Sequence, residues 1–492
     1  MSLSEYRPDD YSDAGNAELF RTSWQGLLCW VDALGWLRYD GRCWTRDDHE
    51  AVNAAVTLTD AMLDEARQEY AIATMAEADA KVAVANEIPG ATERLAEAQK
   101  SVKTAKAYLA HAQNSRSAAR IKGMLELSRS RLVIPADKLD SDPFLLNCPD
   151  GVVDLRTGQL KPHDTDSPYQ FHTRITTATP GIDPDGALLW MKFLETITCG
   201  DYALCEYLQL VVGMCAVGKV FHEGIIICVG SGRNGKSTFW NAVSAVLGDY
   251  SGTINPTVLT TKEQNRGAQL ASIRGRRLVL ASELEEHERL STSTLKQLAS
   301  SDRMVIEAKY HQPETVTPSH TLILATNFLP RVSATDDGTW RRLAIAPFQA
   351  VIPDADDIPD YANYLVEHAG KYIVSWIVDG AKKFTENGHK LTEPDAVQQA
   401  TMAYRQNENW LDRFLDEYCT RDPAVKAPAR ALYTSFKNWC TDTGEYIHRE
   451  NDFSAAMERA GFRKRRTKAG MMYHGVALRY SANAGNSWAA TG

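Results

Sequence analysis

No two of the nine cysteines in this 492-residue chain form a C-x-x-C pair, and their number is odd. That argues against a zinc ribbon and a disulfide framework, and fits thiols kept reduced in a cytosol. No apolar run approaches the roughly 20 residues of a membrane span. The polar, acidic opening "MSLSEYRPDDYSDAG" does not read as a signal peptide. A global positive field is missing too: the net charge is −9, so contact with nucleic acid has to come from local patches. Internal repeats and low-complexity tracts are absent. What remains reads as a soluble, cytoplasmic chain whose length predicts about two to four domains.

The pattern along the chain divides it into six parts. Residues 1–50 hold an aromatic, turn-rich unit with a hairpin turn expected at Tyr39-Asp40-Gly41. Residues 51–131 are Ala-, Glu- and Lys-rich, and Pro89-Gly90 predicts a break between two long helices. Residues 132–218 combine a β-hairpin pattern, "FLLNCPDGVVDLRTGQLKPH", with two packed helices. An α/β segment follows over 219–350, then a helical connector over 351–406 and a compact terminal unit over 407–492.

The densest signal is "CVGSGRNGKSTFWNAV". Gly230, Ser231, Gly232, Arg233, Asn234 and Gly235 lead into Lys236, Ser237 and Thr238, the spacing of a loop wrapped around a polyphosphate. Glycine lets the backbone approach an anion closely with its N–H groups turned inward. Lys236 is placed to reach β/γ-phosphates and Ser237 to ligate Mg²⁺, and the helix expected to begin near Thr238 adds its positive end. The apolar "EGIIICV" before the loop reads as a buried strand. Two further strands matter. "RRLVLASELEE" ends in acids, with Glu283 the first choice and Glu285 the second for holding magnesium's water shell or polarising the attacking water. "HTLILATNFLP" ends in an amide, Asn327, fit to orient water against a γ-phosphate. Arg341 and Arg342 then precede another strand, and arginine suits a charge supplied across a subunit boundary.

This series resembles the superfamily 3 helicases, a branch of the AAA+ ring ATPases, and within them the helicase part of phage/plasmid and poxvirus primase–helicases. "GSGRNGKSTF", "ILATNFLPR" and "DDGTWRRL" carry the resemblance, which runs from about Trp36 to the carboxyl end outside the Ala-rich helices. It implies an α/β AAA+ core with a mostly helical amino-terminal region and a carboxyl-terminal winged helix. It also implies ATP and Mg²⁺ held by Lys236 and Ser237, Glu283 in the acidic motif (reaching the metal through water), Asn327 as sensor, and Arg341 or Arg342 as the finger. "LKQLASSDRMVIEAKYHQPETV" resembles the motif whose hairpin enters the ring channel, so Lys309 and His311 are the expected DNA contacts there. One departure stands out: Ser282-Glu283 replaces two adjacent acids, which leaves the division of labour between Glu283 and Glu285 open.

The terminal unit reads helix, helix, helix, hairpin, with Arg463, Lys464, Arg465, Arg466 and Lys468 crowded in the turn before the hairpin as a phosphate-binding patch. A primer-making site needs two close carboxylates on a strand plus a His. Asp183-Pro184-Asp185 is the nearest pair, and Pro184 reads as a turn. The expectation is therefore a hexameric ring helicase of a phage or mobile element, acting on single-stranded and forked DNA beside a separate primase. An ATP-controlled origin-binding protein without unwinding is the alternative, and a packaging or transport ATPase a third reading.

Overall fold

The computed structural model describes residues 5–32, 34–163, 171–260, 266–286, 288–306, 314–332, 337–353, 358–408, 410–443, 446–468 and 470–479. At its centre lies a parallel sheet of Ile225–Val229 (β1), Ser251–Ile254 (β2), Leu278–Ser282 (β3), Thr321–Thr326 (β4) and Leu343–Pro347 (β5). Its spatial order is β5-β1-β4-β3-β2. These strands are near-continuous apolar runs because a parallel sheet is covered on both faces. One face packs on helices Pro184–Ile197, Tyr202–Ala216, Lys236–Leu247 and Tyr361–Glu386 through Trp190, Tyr207, Phe239, Trp240 and Trp376. The other is covered by Leu270, Leu295, Leu298, Trp340 and Tyr404. Residues 144–155, the helices before β1 and the helix after β5 share that first core, so the boundaries drawn at 218 and 350 fall within one packed body.

Asp183 and Pro184 form no turn between strands. Asp183 caps the Pro184–Ile197 helix by accepting from the Gly186 N–H at 3.0 Å, with Pro184 in the first turn where its missing N–H costs nothing.

The amino-terminal part holds an antiparallel sheet of Leu28–Val31, Gly35–Tyr39 and Trp44–Arg46. The Ala-rich stretch forms three helices instead of two: Asp48–Ala85, Ala91–Ser115 and Ala118–Arg129. The third helix returns onto Asp13–Trp24, so Phe20, Trp36, Leu58, Met62, Tyr108 and Met124 share one core across the boundary drawn at residue 50.

The carboxyl-terminal part adds a strand to the expected order. Helix Trp410–Tyr418 is followed by strand Cys419–Pro428, helices Ala429–Thr443 and Glu450–Arg459, and strands Arg463–Thr467 and Gly470–Leu478. The last strand lies in the middle of a three-stranded sheet. Phe414, Leu432, Phe436, Trp439, Phe453 and Tyr473 close its core.

Candidate functional site

Because β1, β4 and β3 are parallel neighbours, whatever follows each of them emerges at the same edge of the sheet. Thr326 is level with Val229, and Ala325 with Ser282. The phosphate-type loop follows β1, Asn327 follows β4 and Glu283 follows β3, so three segments far apart in sequence meet there.

The helix after the loop starts at Lys236, two residues earlier than expected, with Gly235 as its cap at φ 73°. Glycine is required there: a Cβ would sit 2.3 Å from Ile197 Cγ2. At Gly230 a Cβ would come within 2.0 Å of Asn234 Nδ2 and 2.3 Å of the Phe348 carbonyl. Asn234, buried, staples the loop from inside. Its Nδ2 donates to the Phe348 carbonyl and its Oδ1 accepts the Lys236 N–H, each at 3.3 Å. The Ile352 N–H donates to the Arg233 carbonyl at 2.8 Å. Ser231, Arg233 and Ser237 remain exposed, with Gly232 and Thr238 half-buried.

Lys236 is only 4% exposed. Its Nζ donates to the Thr326 carbonyl at 2.7 Å, to Asn327 Oδ1 at 2.9 Å and to the Gly230 carbonyl at 3.3 Å. Burial lowers its pKa below the ordinary lysine range, and the charge of Glu283 acts in the opposite direction. Glu283 is exposed and held at φ 65°, a left-handed conformation unusual outside glycine, with its N–H donating to the Ala325 carbonyl at 2.9 Å. Glu285 is also exposed, two residues farther from the strand. The arrangement gathers a cation, a carboxylate and a side-chain amide around a backbone cradle. Such a set suits a phosphate anion and a hydrated divalent cation.

Arg341 and Arg342 lie at the opposite edge, before β5. A five-residue strand separates the two edges by about 16 Å. Arg342 faces its own chain: its guanidinium donates to the Gly338 carbonyl at 2.8 Å and pairs with Glu223 at 3.5 Å. Arg341 is exposed, has no side-chain partner among the described residues, and lines an open cleft with Glu393, Gln398, Met402 and Arg405. The Thr326 and Phe348 carbonyls could not be read from the sequence, because backbone acceptors carry no side-chain signature.

Lys309 and His311 lie outside the described residues. The strands flanking them, Met304–Ile306 and Glu314–Val316, pair antiparallel. The basic cluster of the terminal unit falls on the first hairpin strand instead of before it, since Gly461 (φ 91°) turns the chain directly after the preceding helix. Arg463, Arg465 and Arg466 are exposed there and Lys468 is in the turn. Lys464 is directed inward, donating to Ser454 Oγ at 2.8 Å and lying 5.6 Å from the Tyr473 ring centre.

Two families match the chain: one described as "D5 N terminal like" over residues 17–199, and a family of unknown function over residues 228–342. The first runs across the Ala-rich helices, which lay outside the expected extent of the resemblance. Curated relatives include "Putative helicase L207/L206" of Acanthamoeba polyphaga mimivirus, 24% identical over 61% of this chain and 33% of that protein. A "Putative primase" of African swine fever virus is 23% identical over 61% of this chain and 34% of that one. A "Putative helicase" of Invertebrate iridescent virus 3 is 24% identical over 65% and 36%. These matches agree with the resemblance to superfamily 3 primase–helicases of the phage/plasmid and poxvirus type. The chain spans about a third of the length of these relatives. Among solved structures, the NrS-1 C-terminal region matches 63% of this chain and 80% of that one at 10% identity, with a TM-score of 0.41.

Proposed function

We propose that the chain is an ATP-driven replicative DNA helicase that works as a ring, with a AAA+ core at residues 219–350 and a winged helix at its carboxyl end. The observation that carries this reading is the meeting of Lys236, Asn327 and Glu283 at one edge of a sheet ordered β5-β1-β4-β3-β2. The loop backbone and Lys236 would hold the phosphates of ATP, with Ser237 and, through water, Glu283 at Mg²⁺. Bound there, ATP–Mg²⁺ supplies the phosphoryl group and the Lewis acid. Glu283 orients and polarises water, and Asn327 fixes the amine of Lys236 and presents its own amide.

The roles of the two arginines follow from their surroundings. Arg342, tied to Gly338 and Glu223, braces its own subunit. Arg341, exposed and about 16 Å from its own loop, is the finger for a neighbour's nucleotide. A finger acting in trans favours a closed ring, for which we propose a homo-hexamer on single-stranded DNA. Lys309 and His311 are the proposed channel contacts, and the exposed Arg463, Arg465, Arg466 and Lys468 the proposed duplex or strand contacts beside a separate primase.

Strand displacement on a forked duplex, with ATP present, tests the reading. Unwinding that stops in Lys236→Ala supports the helicase. ATP-dependent assembly on DNA with no displacement by the wild-type chain overturns it in favour of the assembly protein.

A further inference from the structure

At the edge of the sheet opposite the phosphate-type loop lies a cavity of about 710 Å³ between the central sheet and residues 136–143 and 173–174. Its volume suits a nucleotide. Three arginines line it: Arg174, Arg274 and Arg277. Arg277, 3% exposed, donates to the Ala216 and Leu145 carbonyls, both at 2.7 Å, and lies 4.3 Å from the Tyr250 ring centre. Arg174 donates to the Asp249 carbonyl at 3.2 Å and the Arg274 carbonyl at 2.7 Å. No carboxylate hydrogen-bonds either guanidinium among the described residues. The cavity's two carboxylates are fewer than its three arginines: Asp140 accepts from the N–H and hydroxyl of Thr173 while its charge acts on Arg174, and Asp137 lies in a short turn. Neutral carbonyls orient a guanidinium without cancelling its charge, so the pocket retains positive charge.

A second feature lies in the cavity wall. His320, just before β4, is 5% exposed, its ring engages the Leu298 backbone, and its buried Nε2 has no hydrogen-bond partner among the described residues. An unpartnered buried ring nitrogen carries a desolvation cost that a ligand's polar group would relieve. Leu139, Leu270, Ile273 and Met304 supply apolar wall beside it. Arginines for an anion, a neutral imidazole for a sugar or base hydrogen bond, and apolar surface for a base together describe one ligand chemistry.

We propose that this cavity is a second nucleotide-binding site, independent of the Lys236 loop, taking a phosphate-bearing nucleotide. The nucleotide comes either free from solution or as one unit of a single DNA strand.

The test is stoichiometry on the full chain by equilibrium dialysis, with ADP for the free source and a 5′-phosphorylated thymidine dinucleotide for the strand source. Two variants address the cavity: His320→Phe, which removes Nε2 and keeps volume, and Thr317→Trp, which fills the mouth from an exposed position. Near-ultraviolet circular dichroism checks that each folds. If the nucleotide is free, ADP binds at two per chain in wild type, one in Lys236→Ala and one in Thr317→Trp. If it belongs to a strand, the dinucleotide binding of Lys236→Ala falls in Thr317→Trp/Lys236→Ala. In either case His320→Phe weakens the affected probe roughly fivefold, the loss of one hydrogen bond. Binding of both probes that is unchanged in His320→Phe and Thr317→Trp overturns the proposal.

Discussion

The amine of Lys236, on the loop after β1, donates to Asn327 Oδ1 at 2.9 Å and to the Thr326 carbonyl at 2.7 Å, both at the end of β4. The lysine thus joins two strands as well as pointing into the cradle. We expect Lys236→Ala to abolish ATP hydrolysis and also to lower stability by about 1–3 kcal/mol, because the buried Thr326 carbonyl loses its donor. Steady-state ATPase assays and urea denaturation read the two effects separately. A variant as stable as wild type would show that the amine is not held this way in solution.

Arg341→Ala and Arg342→Ala should fail differently. Arg341→Ala is expected to fold normally, bind ATP and hydrolyse it about 10³–10⁵-fold more slowly. Mixed with Lys236→Ala protein it should regain partial activity, since the lysine variant supplies an intact arginine to its neighbour. Arg342→Ala should melt earlier, its pairing with Glu223 and Gly338 gone. Rescue of Arg342→Ala and none of Arg341→Ala, in mixtures shown to co-assemble, would reverse the assignment.

Glu283 and Glu285 are separable by isosteric change. Glu283→Gln is expected to keep ATP affinity and lose about 10²–10⁴-fold in kcat, the range for a positioned general base. Glu285→Gln, two residues beyond the strand, should stay near wild type. Single-turnover hydrolysis distinguishes them, and equal losses would mean the acids share the role.

On the terminal hairpin, Arg465→Ala should weaken DNA binding and reduce the salt dependence, log K against log salt, by about one phosphate contact. Lys464→Ala should instead reduce stability, since its Nζ is engaged by Ser454. Fluorescence anisotropy across a salt series would expose the opposite pattern if the strand faced DNA with its other side.

Burial lowers the His320 pKa from 6.5 to about 4. Between those values the unfolded chain holds the extra proton, so acid favours unfolding. The stability from keeping this ring neutral is full above pH 6.5 and is lost as the pH falls toward 4, about 3 kcal/mol in all. His320→Phe, with nothing to titrate, should lose correspondingly less stability between pH 7 and pH 4. Parallel slopes in urea midpoints would place the proton elsewhere.

Local chemistry was enough to read the loop, the strand carrying Glu283 and the strand carrying Asn327, because glycine spacing and apolar runs ending in polar residues are written in consecutive positions. The sequence by itself determined those elements and the break at Pro89-Gly90. Only the tertiary structure decided that β4 lies between β1 and β3, which brings Lys236 onto Asn327, since strand order is set by crossover packing and leaves no local mark. The same holds for the two arginines: adjacent and alike in sequence, Arg342 is turned to Glu223 and Arg341 to solvent by the start of β5. The break at Arg116-Ser117, which divides the second Ala-rich helix from a third, and the strand Cys419–Pro428 have no local mark because long-range packing, not propensity, fixed them. Arg174, the Arg274–Arg277 segment and His320 come from three separate stretches of the chain, and nothing short of the folded chain puts them together.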